Sequence, residues 1–114
     1  AGERIVPVSG HHSERFEVTG YRIGRMAYLT DFKTIADAEV GKLIGVELLV
    51  VNALRFRPHP SHFNVEEALA LIARVAPRRA LITHVSHEIG QHAATTALLP
   101  RGVELAYDGL EIII

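Results

Sequence analysis

The sequence has no cysteine, which excludes disulfides, thiolate metal sites and cysteine nucleophiles together. It has no excess of either charge: twelve Lys and Arg stand against thirteen Asp and Glu, a net of −1. Broad electrostatic binding to nucleic acid is therefore not favoured, a local basic patch apart. No apolar run approaches the ~20 residues of a membrane span, and the N-terminus carries no signal-peptide pattern. A reducing, cytoplasmic setting and no membrane partner are the expectation. Repeats, low-complexity tracts and linker-like stretches are absent as well. What is present suits one core: 114 residues, 48% hydrophobic and 22% charged, with mean hydropathy +0.18, a globular balance that argues against disorder. Seven histidines stand out in so short a chain. Any metal here is held through nitrogen and oxygen.

Read along the chain, Arg4 to Val8 is a short strand and Ser9 to Ser13 a polar loop. Phe16 to Thr19 alternates with period two, and Gly20 marks a bulge before Tyr21-Arg22-Ile23. Gly24-Arg25 turns into a strand over Met26 to Thr30. Asp37 to Leu43 reads as a short helix with Asp37 as N-cap and Gly45 ending it. Leu48-Leu49-Val50-Val51 is a continuous apolar run of the kind buried on both faces. Asn64 opens the best helix, with Glu67 completing a capping box and Pro77 beyond its end. Val65, Ala68, Leu69, Ile72 and Ala76 make its apolar stripe. Ala80 to Thr83 is a second buried strand, and Gln91 to Leu98 a weaker helix. Val103 to Tyr107 and Leu110 to Ile114 flank Asp108-Gly109, a hairpin signal. Strands alternating with helices in the middle and antiparallel strands at the ends give an α/β class with a mixed sheet.

Two buried strands end in chemistry. Met26 to Thr30 runs into Asp31, and Ala80 to Thr83 runs into His84. Ligands collect beyond the carboxyl ends of strands in open α/β sheets, and a carboxylate and an imidazole are ordinary ligands for zinc or manganese. The plainer alternative makes Asp31 a cap and His84 a loop histidine. The loop Arg55-Phe56-Arg57-Pro58-His59-Pro60-Ser61-His62 is stiffened by its prolines and leads to the Asn64 helix start, where backbone N–H groups favour an anion. A histidine there, His62, is placed to protonate a leaving oxygen; the alternative is a polar connection whose arginines are solvated. His11-His12 is a bare pair after a strand. His59, locked between prolines, and His92, facing out of a helix, read as non-ligands.

These motifs together resemble a family. Gly20-Tyr21-Arg22-Ile23-Gly24 followed by Ala27-Tyr28-Leu29-Thr30-Asp31 is similar to a segment of the metallo-β-lactamase-fold hydrolases. So are Asn52-Ala53-Leu54-Arg55-Phe56-Arg57-Pro58-His59-Pro60-Ser61-His62-Phe63, Leu81-Ile82-Thr83-His84-Val85-Ser86-His87 and Ala106-Tyr107-Asp108-Gly109. The subgroup they resemble is the PhnP-type cyclic phosphodiesterases of phosphonate metabolism, beside the RNase Z-like branch. The resemblance implies half of an αββα sandwich, a mixed sheet with helices on one face. It implies Asp31 as the carboxylate bridging two divalent ions (zinc or manganese), His84 as the last histidine ligand and His62 as the loop histidine assisting phosphoester cleavage. Pro7-Val8-Ser9-Gly10-His11-His12 resembles a further ligand segment, whose spacing from Pro7 favours His12 over His11, and Arg55 and Arg57 would bind phosphate.

The family's H-x-H-x-D-H signature is missing. Residues 1–114 therefore read as the C-terminal half of a larger hydrolase domain, inactive alone and holding at most one ion weakly. The expected substrate of the parent is a small cyclic phosphodiester, which the near-neutral charge favours slightly over RNA 3′ ends. Thioester hydrolysis on the same fold, or a non-catalytic interaction or assembly domain, are the rivals. A sheet face left without its partner half implies a homodimer.

Overall fold

The structure is a computed structural model that describes residues 4–13, 16–53, 63–83 and 99–105. Its strands lie side by side in chain order: β1 (Ile5–Ser13), β2 (Phe16–Ile23), β3 (Met26–Leu29), β4 (Leu48–Asn52), β5 (Arg79–Thr83) and β6 (Val103–Leu105). β1, β2 and β3 pair antiparallel, whereas β3 through β6 pair parallel. The change follows from the connections. Gly24-Arg25 is a two-residue turn, short enough only for an antiparallel hairpin, while parallel neighbours need a crossover. α1 (Asp37–Val40), continued by one 3₁₀ turn (Gly41–Leu43), crosses from β3 to β4, and α2 (Val65–Val75) lies between β4 and β5.

All five residues of β4 are buried, as an apolar run at the centre of a sheet covered on both faces should be. One face supplies Ala27, Leu29, Leu49, Val51, Ala80, Ile82, Val103 and Leu105 to a core that includes Val65, Ala68, Leu71, Ile72 and Val75 of α2. The opposite face carries Leu48, Val50 and Leu81 against Met26. Towards β1 that second face leaves Ile5, Tyr21, Ile23 and Tyr28 exposed, in register as the pairs Ile5–Ile23 and Tyr21–Tyr28. Among the described residues no helix is long and apolar enough to cross a membrane.

α2 starts where its sequence says. The Asn64 side chain accepts from the Glu67 N–H at 2.7 Å, and the Asn64 N–H donates to Glu67 Oε1 at 3.0 Å. Glu67 also takes Lys33 Nζ at 2.8 Å, tying the helix start to the segment after β3. Asn64→Ala is expected to cost about 1 kcal/mol in a urea denaturation series, with Asn64→Asp close to wild type; equal midpoints for the two variants would contradict the cap. The buried stripe is rotated from the expected one, with Leu71 and Val75 inside, Leu69 at the margin and Ala76 exposed. Ala76 ends the helix in the left-handed conformation (φ 52°), so it no longer follows the helical period.

Three local expectations change. Ser9–Ser13 is strand, not loop: Ser9, Gly10 and His11 pair with Thr19, Val18 and Glu17, and His11 forms a bridge to Thr34 on its other side. Partners on both flanks outweigh the weak strand preference of Ser, Gly and His. Gly20 continues the ladder opposite Val8, and the irregularity lies instead between His11 and Ser13, where His12 is the extra residue. Asp37 is the first helical residue rather than the cap; Ala36 precedes the helix, and the Asp37 carboxylate takes Arg74 Nη2 at 2.8 Å. The expected Gln91–Leu98 helix and the turn and second strand of the hairpin lie outside the described residues.

Candidate functional site

Parallel pairing aligns the carboxyl ends of β3, β4 and β5. Leu29 lies opposite Val51 and Asn52 opposite Thr83, and the Ala53 N–H donates to Thr83 O at 3.0 Å. The chain leaves β3 through Thr30 into Asp31, which takes φ 63°. That left-handed conformation is uncommon for a residue with a Cβ, and Asp and Asn tolerate it best. Directly afterwards Phe32 turns inward and is fully buried.

Three sets of bonds hold this turn. The Phe32 N–H donates to Asn52 Oδ1 at 2.9 Å, and Asn52 Nδ2 donates to Phe32 O at 3.0 Å. The Phe63 N–H also donates to Phe32 O, at 2.8 Å. On the β1 side, the Lys33 and Thr34 N–H groups donate to His11 O at 2.7 and 3.2 Å, while the His11 N–H donates to Thr34 O at 3.0 Å. The turn is thus sewn to β1, β4 and the start of α2.

His12 is the bulged residue of β1, and a bulge re-aims a side chain. Its ring Nδ1 lies 3.0 Å from the backbone oxygen of Asp31. A carbonyl only accepts, so Nδ1 carries the proton and, in the neutral ring, Nε2 carries the lone pair. Metal-ligating histidines are commonly fixed in this way, the second nitrogen donating to a carbonyl or carboxylate. His11 differs: it is exposed, and its backbone holds Lys33 and Thr34.

Of the expected site residues, the structure brings His12 and Asp31 together. His62, His84, Arg55 and Arg57 lie outside the described residues. Phe63 and Thr83, next in sequence to His62 and His84, are both within them: the first is bonded to Phe32 and the second paired with Asn52. Thr83 Oγ1 is buried with no hydrogen-bond partner among the described residues. An imidazole nitrogen and a carboxylate are the donor types zinc and manganese take, so the pair fits a divalent cation chemically. A catalytic zinc takes three protein ligands, and no group of three His, Asp or Glu side chains forms among the described residues. Asn52, Phe32 and Gly10 were not singled out by the sequence reading; a fully buried Asn closing an apolar strand is the signal that points to the first.

The model of the beta-lactamase superfamily domain matches residues 1–85. The chain belongs to the beta-lactamase superfamily. Within it, a solved structure described as a new diphosphatase from the PhnP family superposes with a TM-score of 0.94 at 38% identity, over 99% of this chain and 44% of that one. Human tRNase Z, short form, shares the fold at TM-score 0.71 and 17% identity, over 93% of this chain and 41% of that one. A curated octanoyltransferase of Porphyromonas gingivalis is 41% identical over 101 residues, which is 88% of this chain but 20% of that protein. The chain therefore spans less than half the length of the superfamily structures it matches and a fifth of the curated relative. Its α/β fold is half of the superfamily's sandwich, with the mixed sheet expected from the sequence, six-stranded among the described residues.

Proposed function

We propose that the protein to which these residues belong is a metal-dependent hydrolase of small phosphodiesters, cyclic ones included, with this half supplying part of the metal site. The observation that carries the reading is the His12–Asp31 contact at the carboxyl ends of the strands, within a chain that resembles a PhnP-family diphosphatase over nearly its whole length. Asp31, His12 through Nε2, and His84 are the residues that would hold divalent zinc or manganese. When bound, such ions supply Lewis acidity and a nucleophile at neutral pH. Arg55 and Arg57 bind the phosphate, and His62 gives its proton to the leaving oxygen. The 114 residues alone are expected to hold at most one ion, weakly, and to lack useful hydrolase activity.

The test is hydrolysis of a bis-aryl phosphodiester by the full-length protein with added manganese. Turnover that survives exhaustive chelation would overturn the reading. The octanoyltransferase relative favours a second reading, hydrolysis or transfer at an acyl thioester; faster turnover of an octanoyl thioester than of the phosphodiester would put it first.

His62→Ala is expected to leave metal content unchanged and to lower the rate ~10²–10⁴-fold on an alkyl phosphodiester, the range for loss of a general acid. An activated aryl ester, whose leaving group needs less protonation, should lose much less. Metal content by elemental analysis and rates on both esters check this. Loss of metal would make His62 a ligand, and an equal loss on both esters would make it a phosphate-positioning group.

A further inference from the structure

We propose that Asn52 is the positioning residue of the candidate metal centre, setting the Asp31 carboxylate and the His12 ring together through one peptide group; this rests on the reading of Asp31 and His12 as ligands. The peptide in question joins Asp31 to Phe32. Its N–H donates to Asn52 Oδ1 at 2.9 Å, and its oxygen, on the opposite edge of a trans unit, faces His12 Nδ1 at 3.0 Å. Asn52 thus grips one edge of the plane whose other edge selects the His12 tautomer. Turning that plane changes ψ of Asp31 and with it the direction in which the carboxylate leaves the turn.

Several features say that this grip is built rather than incidental. Asn52 is fully buried at the end of the apolar run Leu48–Val51. A carboxamide there is costly unless it is hydrogen-bonded, and among the described residues its side chain bonds to one residue, Phe32, at both its oxygen and its nitrogen. β3 has already ended opposite Val51, so the Asn52 side chain supplies a donor and an acceptor where the strand ladder no longer does. Asp31 sits at φ 63°, a conformation that persists only when its surroundings impose it. Hydrogen bonds in series through one peptide also polarise one another, so loosening the Asn52 end weakens the His12 end. An aspartate at 52 keeps an acceptor for the Phe32 N–H but sets a second oxygen against Phe32 O. An alanine keeps neither bond.

The experiment uses the full-length protein, with Asn52→Ala, Asn52→Asp and, as a control for stability alone, Leu71→Ala in the α2 core. Zinc and manganese affinities are read by competition with a chelating dye, and the His12 ring by ¹⁵N chemical shifts in the metal-free protein. Asn52→Ala is expected to lower metal affinity ~10–100-fold, the range for groups that orient ligands, and to release His12 from the Nδ1–H tautomer. Leu71→Ala should lose stability while keeping both affinity and tautomer. Wild-type affinity and an unchanged His12 tautomer in Asn52→Ala would overturn the proposal. If that variant does not fold, Asn52→Asp and the wild-type protein decide. Reduced affinity in the aspartate variant, with slow hydrogen exchange of the wild-type Phe32 amide, supports the grip. An amide exchanging as fast as an exposed one overturns it. Should wild type bind no metal while its His12 tautomer and Phe32 protection are as expected, the metal reading fails and the grip stands.

Discussion

Asp31→Ala in the full-length protein is expected to bring phosphodiester turnover to background and to weaken divalent-metal binding by more than the ~10–100-fold that outlying groups contribute. Two effects overlap in that variant and can be separated. Asp31 occupies the left-handed region at φ 63°, where an alanine is strained by about 1 kcal/mol while glycine is not. Asp31→Gly removes the carboxylate without strain, and Asp31→Asn keeps a side chain that tolerates the conformation but loses the charge. All three should lose metal and activity alike, and Asp31→Ala should be the least stable of the three in urea. Metal content, rate and denaturation midpoint on each variant check this. Full metal content and turnover in Asp31→Asn would show that the carboxylate is not a ligand and would remove the centre proposed here.

The fold was legible wherever a short stretch carries its own reason. The capping box from Asn64 to Glu67 needs only local bonds, and the runs Leu48–Val51 and Ala80–Ile82 are apolar because the sheet is covered on both faces around them. Asp31 was legible as the polar residue that ends such a run. What was not legible depends on residues far apart in the chain. Ser9–Ser13 reads as a loop until Val18, Thr19 and Thr34 are known to flank it. Asp37 reads as a cap until Arg74, thirty-seven residues on, is seen to take its carboxylate. The preference for His12 over His11 came from a family resemblance; the bulge that turns His12 towards Asp31 shows in the pairing register alone. Asn52 looks like the last residue of a strand until Phe32, twenty positions earlier, is placed against it. The hydrophobic periodicity gave the layers, and the local trace of the long-range polar contacts that shape the site is a polar Asn52 closing an apolar run.

Gly10→Ala is expected to be among the most damaging single-methyl additions in this chain. A Cβ at Gly10 would overlap Cε2 and Cδ2 of Phe32 and lie 2.8 Å from Thr34 O. On the next strand, a Cβ at Gly20 would lie 2.5 Å from Leu29 Cδ2, 2.7 Å from Tyr28 O and 3.3 Å from the same Phe32 ring. Two neighbouring strands therefore lack side chains where this ring packs, which is why a fully buried Phe fits directly after a half-buried turn. Overpacking typically costs ~1–3 kcal/mol, and here Thr34 O is backbone held by His11, so relief has to come from the ring. Gly41, with no atom within 4 Å of an added Cβ and a right-handed helical backbone, is the matched control; Gly41→Ala should be neutral or stabilising by ~0.4–1 kcal/mol. Phe32→Ala alone should cost ~3–5 kcal/mol as a cavity. In the Gly10→Ala background the same truncation should cost less, because removing the ring removes the clash. A double-mutant cycle read by urea midpoints measures that coupling. Because Phe32 follows Asp31, Gly10→Ala should also weaken metal binding, whereas Gly41→Ala should not. Additive costs in the cycle, or a Gly10→Ala variant as stable as Gly41→Ala, would mean that the ring is not seated on the glycine and that the turn carrying Asp31 is anchored by its hydrogen bonds alone.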